Sequence, residues 1–180
     1  PLTAVEFANA ASEFAIVFAG SDDNLMPAVI TGVRAEENLF IAEDGSFSGR
    51  YTPAFLRRYP FVFSSADDGA NFTLCIDEDF DGCNEDGRGE RLFDSDGEQT
   101  KYLDGVLDFL KEYQAQFQRT QMFCKKLKTL DLLEPMGAQI TLPAGEKLTL
   151  TGFQAISREK LKALSGDQLV ELAKTDELEL

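Results

Sequence analysis

The chain has 180 residues, 43% of them hydrophobic and fifteen of them Phe, which is enough apolar material for one folded domain with a core. Its net charge of −15, from 17 basic and 32 acidic side chains, argues against nucleic acid and anionic membrane surfaces, whose binders need a basic footprint. Histidine and tryptophan are absent, and no apolar run approaches the roughly 18 residues a membrane span needs.

The start, PLTAVEFANAASEFAIVF, lacks a basic stretch ahead of its apolar part and does not read as a signal peptide. It begins with Pro rather than Met, which leaves a removed leader open. The first third reads as short strands and turns. FAIVF (14–18) is continuously apolar, as a buried strand would be. PAVITGV (27–33) resumes with β-branched residues. NLFIAEDGSF (38–47) reads as strand, turn, strand around Asp44-Gly45. FVFSS (61–65) and NFTLCI (71–76) are two further strands, with turns expected at Asp22-Asp23 and Asp67-Asp68. From Asp77 to Gly97 the sequence is an acidic loop. Between Asp67 and Glu98, twelve acids face only Arg88 and Arg91.

Tyr102 to Leu133 reads as helix. Val106, Leu110, Tyr113 and Phe117 fall on one face, which Phe109 widens and Cys124 and Leu127 continue. One helix of that extent would be about 48 Å long, so a bend or break is expected near Gln118–Gln121, with Pro135 and Gly137 ending it. QITLPAGEKLTL (139–150) reads as a hairpin turning at Pro143-Ala144-Gly145. Two short helices follow, the first capped by Ser157 and the second by a Ser165/Gln168 capping box. The expected fold is α+β: an antiparallel sheet or hairpins from the N-terminal part packed on one long or two shorter helices, a further hairpin, and two short C-terminal helices. The expected core holds Phe14, Ile16, Phe18, Val29, Phe40, Phe61, Phe63, Leu74, Val106, Leu110 and Phe117.

The residue inventory removes several chemistries. Without His there is no Ser-His-Asp or Cys-His arrangement and no His metal site. Neither GxxxxGK[ST] nor GxGxxG occurs. Cys75 and Cys124 read as small core residues, and reduced thiols are expected, with a Cys75–Cys83 disulfide as the lesser alternative. The basic cluster CKKLK (124–128) reads as an outer helix face that pairs with nearby acids. In DEDFDGCNEDGRGE, Asp77, Asp79, Asp81 and Gly82 match positions 1, 3, 5 and 6 of a calcium loop, and Glu85 falls at position 9. Arg88 stands where the closing Glu should be, and the preceding segment reads as a strand rather than a helix. A solvated acidic loop is the preferred reading, with weak calcium binding by Asp77, Asp79, Asp81 and Glu85 as the alternative.

The stretch YTPAFLRRYPF (51–61) sets two arginines among aromatics in an acidic chain. Thr52 can cap a short helix with Pro53 in its first position, and Pro60 turns the chain toward the strand that follows. Arg57 and Arg58 are about 100° apart on a helix, so they cannot point the same way. One is expected to lie against an aromatic ring or an internal carboxylate and fix the corner, and the other to reach the surface. The functional alternative is a site for a ligand or a partner's carboxylate, carried by Tyr51, Arg57, Arg58 and Tyr59, with carboxylates from Asp77 or Asp79.

EFAIVF, EENLFIAEDGSF, YTPAFLRRYPFVF, LCIDED and LFDSDGEQT follow one another, and LLEP, ITLPAGEKLTLTGFQAIS, REKLKAL and LVELAKTDELEL close the chain. In this order they resemble the bacterial SapC family over nearly the whole length, the YxPxxLRRYPF block most specifically. The resemblance implies one domain over residues 1–180, truncated at both ends relative to the family's usual length. The family often carries Trp where Phe47 stands. Members are linked to surface-layer genes and to genes for outer-membrane uptake receptors, and the resemblance brings no catalytic residues. It implies a non-enzymatic, soluble interaction domain with a protein partner. No cofactor is expected, the compartment is expected to be the cytoplasm, and homo-oligomerisation is left open. The alternatives are an enzyme or enzyme accessory subunit acting on a small molecule or peptide, and a calcium-dependent surface module.

Overall fold

The apolar run around Val17 makes β1 (Ala15–Ala19) and the β-branched run after Leu25 makes β2 (Met26–Ile30), which pair antiparallel with Phe18 opposite Pro27. The computed structural model describes residues 1–21, 24–65 and 71–180, so the turns expected at Asp22-Asp23 and Asp67-Asp68 lie outside it. The described chain divides into two compact units: Pro1–Pro53 with Gln116–Leu180, and Ala54–Ala115.

In the first unit, β1 also pairs with β6 (Lys147–Ile156), and β6 with β5 (Leu133–Thr141), giving a four-stranded antiparallel sheet in the order β2-β1-β6-β5. The expected hairpin is present and longer than expected. Of LLEP (132–135), Leu133, Glu134 and Pro135 belong to β5 and do not end a helix. Pro135 has no N–H to give a ladder, which suits the edge position of β5, and the register shifts between Met136 and Ala138, at Gly137. Around Asp44-Gly45 the turn forms, with Asp44 Oδ1 accepting from the Ser46 N–H and hydroxyl. Only one bridge, Ile41 to Phe47, flanks it rather than two strands.

The single helix α3 (Lys101–Thr129) runs unbroken for 29 residues, without the interruption expected near Gln118–Gln121. Its residues up to Ala115 belong to the second unit and the rest to the first. The buried stripe is Leu103, Leu110, Tyr113, Thr120, Cys124 and Leu127, with Phe123 beside it, while Val106 and Phe117 are half-buried. Thr120 is tolerated in this stripe because its hydroxyl donates to the Gln116 carbonyl (2.7 Å) and accepts from the Ala4 N–H (2.9 Å). The helix ends before Pro135, at a left-handed residue, Asp131 (φ 51°). The Leu132 N–H reaches the Leu127 carbonyl and the Asp131 N–H the Lys128 carbonyl, and Leu127 and Leu132 share the core, which together make a Schellman motif. Lys160 pairs with Asp131 at 3.0 Å.

Two short pieces open the first unit, a 3-10 turn (Ala4–Glu6) and α1 (Phe7–Ala10), neither expected from sequence. Thr3 and Glu6 form a capping box: the Glu6 carboxylate accepts from the Thr3 N–H (2.8 Å) and hydroxyl (2.7 Å). Glu6 is buried and also accepts from the Tyr51 hydroxyl at 2.7 Å. Glu13 accepts from the Arg50 and Tyr51 N–H groups. At the other end of the chain, α4 (Arg158–Lys162) follows Ser157, which makes no side-chain cap bond, and α5 (Gly166–Lys174) starts with the expected Ser165/Gln168 capping box.

The second unit holds α2 (Ala54–Arg57), the antiparallel pair β3 (Phe61–Ser65) and β4 (Phe72–Ile76), the acidic loop and the first half of α3. β3 and β4 form their own sheet instead of joining β1 and β2. Of the expected core, Phe14, Phe18, Phe61 and Leu110 are buried, and Ile16, Val29, Phe40, Phe63, Leu74, Val106 and Phe117 are half-buried. All three cysteines are free, so no Cys75–Cys83 bridge is made. Burial pushes the Cys124 thiol up to about 11. Among the described residues, no helix is long and apolar enough to cross a membrane.

Leu110 is 2% exposed, so Leu110→Ala should cost about 2–5 kcal/mol in urea unfolding; a cost below about 1 kcal/mol would mean this face is not packed as described. Tyr51→Phe removes one donor from a buried carboxylate and should cost about 1–3 kcal/mol, read the same way.

Candidate functional site

The second unit carries the corner Ala54–Phe61. One turn of α2 is closed by the Arg58 N–H to the Ala54 carbonyl (3.1 Å), and the chain then turns through the Phe61 N–H to the Arg58 carbonyl (2.7 Å) into β3. The Asp77 N–H donates to the Pro60 carbonyl at 3.0 Å, so the end of β4 is tied to this turn.

Both arginines use aromatic faces. The Arg58 guanidinium is 4.3 Å from the Phe55 ring centroid and 5.5 Å from that of Tyr113, and the residue is half-buried. Arg57 lies 5.3 Å from the Phe109 centroid and is exposed. The expected division holds in that Arg58 braces the corner and Arg57 reaches the surface, but Arg57 too has a ring beneath it. Tyr59 is 54% exposed. Its hydroxyl is held above the usual phenol range, first by desolvation and then by the charge and hydrogen bond of Asp77, with Asp81 and Asp79 adding to the effect. Tyr51 belongs to the first unit, where its hydroxyl is committed to Glu6.

Two open grooves meet at Pro60, Phe61 and Ile76. The smaller, about 420 Å³, is lined by Phe55, Leu56, Arg58, Tyr59, Val62 and Asp77. The larger, about 750 Å³, has a floor of Phe61, Ile76, Phe80, Leu92, Phe93 and Tyr102 and a wall made by the loop from Gly82 to Arg91. Edge-to-face contact between Tyr59 and Phe80, at 5.3 Å, joins the two, and Phe61 meets Tyr102 in the same way at 6.4 Å. Leu56, Tyr59, Val62, Phe80, Phe93 and Tyr102 are all exposed.

Two residues of the calcium pattern, Asp77 and Gly82, have other tasks. Asp77 Oδ1 accepts from the Asp79 N–H at 3.1 Å, closing a local turn. Gly82 lies under Phe80, and a Cβ there would come within 2.3 Å of its ring. Among the described residues, no three Asp, Glu or Cys side chains gather into a group that could hold a metal ion, so Asp77, Asp79, Asp81 and Glu85 form none. Asn84 Oδ1 accepts from the Asp86 and Arg88 N–H groups, and Asp94 Oδ1 from those of Asp96 and Glu98. The loop therefore owes much of its Asp and Asn content to turn chemistry. The sequence reading missed Phe80, Phe93 and Tyr102 as a surface. Their signal was isolated aromatic residues inside an otherwise polar loop or at a helix start.

Losing the two ring contacts of Arg58 in Arg58→Gln should lower stability by about 1–2 kcal/mol. Arg57→Gln, at an exposed position, should lower it by less. Thermal melts of the two variants side by side check the order, and the reverse order would refute the assignment of Arg58 as the brace.

Searches of curated proteins and of solved structures return no match. The SapC family model matches residues 1–180, which includes the corner at Tyr51–Phe61, the acidic loop and the C-terminal helices. The match spans the full length of both compact units, and the chain belongs to the SapC family.

Proposed function

We propose that residues 1–180 act as one non-enzymatic interaction module, an accessory to surface-layer or outer-membrane nutrient-uptake functions. One observation carries the interaction reading: the second unit exposes a joined strip of large apolar side chains running from Leu56, Tyr59 and Val62 through Phe80 to Phe93 and Tyr102. Exposed apolar surface of this kind is costly to keep in water and marks places where another molecule binds. Tyr59 and Arg57 belong to the contact surface, and Arg58 holds it in shape from beneath. Tyr51 contributes by fixing the segment that leads to the corner. The surface-layer and uptake connection rests on what the family is linked to. Three free thiols favour a reducing compartment, and the cytoplasm fits that best.

An enzyme would need polar groups converging on a reacting atom in a water-excluding pocket. The grooves here are open, and the larger has an aromatic floor, which favours docking over chemistry.

Native co-purification followed by mass spectrometry, with wild type and Tyr59→Ser/Phe93→Ser in parallel, tests the reading. Both positions are more than half exposed, so the variant should melt close to wild type. It should also lose a protein that wild type retains. Equal retention by the two would refute the strip as the contact surface.

A further inference from the structure

We infer that the larger groove of the second unit receives an amphipathic, positively charged segment of a protein partner, with bulky apolar side chains on the aromatic floor and Lys or Arg over the rim. This rests on the interaction reading above and names the chemistry of the partner. The floor is apolar, formed in part by Phe80, Phe93 and Tyr102, and about 750 Å³ of open space lies above it. That fits large hydrophobic side chains. The rim has the opposite character. Residues 77–98 hold ten acids against two arginines, a local charge of −8.

Three of those acids, Glu78, Glu85 and Glu90, line the groove itself and are exposed. None of the three takes part in an ion pair among the described residues. Arg88 and Arg91 line the groove as well; Arg88 pairs with Asp86 at 3.2 Å, which cancels one charge of each sign and leaves the local charge at −8. A groove with an apolar floor and unneutralised carboxylates at its mouth is complementary to a segment that alternates apolar and cationic side chains. The same rim repels an acidic segment. It also disfavours a second copy of this chain, which would bring −15 of its own.

The test uses the whole chain and two short synthetic fluorescein-labelled peptides that share the same Leu and Phe positions. One is flanked by lysines and the other by glutamates, and binding is read by fluorescence anisotropy. The lysine peptide should bind at least about tenfold more tightly at low salt, and the difference should shrink as NaCl rises from about 50 mM to about 500 mM. Glu78→Gln/Glu85→Gln/Glu90→Gln should lose most of that preference. A control triple of exposed acids in the first unit, Glu36→Gln/Glu43→Gln/Glu159→Gln, should keep it. Phe80→Ala/Phe93→Ala should weaken the lysine peptide about tenfold or more by removing the floor.

Equal binding of the two peptides, a preference for the glutamate peptide, or binding of neither would overturn the inference. So would an equal loss in the control triple, because the effect would then be general charge and not the groove. Self-association in sedimentation velocity that disappears in Phe80→Ala/Phe93→Ala would give the groove to a second copy and also overturn it. If Tyr59→Ser/Phe93→Ser loses the native partner while the peptides show no charge preference, only this inference fails. If that variant retains the partner, the interaction reading fails first.

Discussion

One helix face supplies buried side chains to both compact units. Leu103, Leu110 and Tyr113 of α3 are buried in the second unit, and Thr120, Phe123, Cys124 and Leu127 in the first. Each unit is small, and small units bury a lower fraction of their surface, so each depends on its share of this stripe. That makes Thr120 informative. A hydroxyl in the middle of such a stripe costs stability unless both its donor and its acceptor capacity are used. It donates within the helix and accepts from Ala4, a residue 116 positions away, so the polar exception also holds the N-terminal segment in place.

Glu6 works in the same way. A buried carboxylate is expensive without donors, and here Thr3 and Tyr51 supply three hydrogen bonds from two distant parts of the chain. Glu13 adds two backbone N–H groups, at Arg50 and Tyr51. The first unit is thus set by polar contacts that are long in sequence, and those are the contacts local pattern cannot supply. The capping box itself could be read, because Thr3-Ala4-Val5-Glu6 has the required spacing. Its third partner, Tyr51, could not.

The same division runs through the rest of the chain. Apolar runs identified β1, β3 and β4, and Pro143-Ala144-Gly145 placed the long hairpin, because these signals are local. Strand partners are not local. Nothing near FAIVF or FVFSS indicates that β1 pairs with β6 while β3 and β4 stay apart. The end of α3 was misplaced because Pro135 is a strong stop signal and Asp131 a weak one. An αL Asp is unusual, and it is accepted here because the Schellman bonds and the Leu127–Leu132 contact compensate. In the candidate site, the corner was legible from its prolines and arginines. The groove beside it was not, since its floor is assembled from β3, β4, the loop and the start of α3.

The arginine pair and the acidic loop make sense together. In a chain of −15, the obvious use of Arg58 is to neutralise a loop carboxylate. Instead its guanidinium lies over Phe55 and Tyr113, where the negative faces of the rings satisfy the charge at little desolvation cost. Asp77, which lines the same smaller groove, accepts from the Asp79 N–H, and its charge helps hold the Tyr59 hydroxyl above the usual phenol range. The corner is therefore braced without drawing on the acids that rim the larger groove. Among the described residues, Glu78, Glu85 and Glu90 take part in no ion pair. Turn chemistry accounts for Asp77, Asn84 and Asp94, whose side chains accept from backbone N–H groups, but not for Glu78, Glu85 or Glu90. A solvated loop tolerates such residues anywhere. Their position above an exposed aromatic floor is what turns them from a neutral feature into one with a direction, because charge at the edge of an apolar surface selects the sign of whatever covers it.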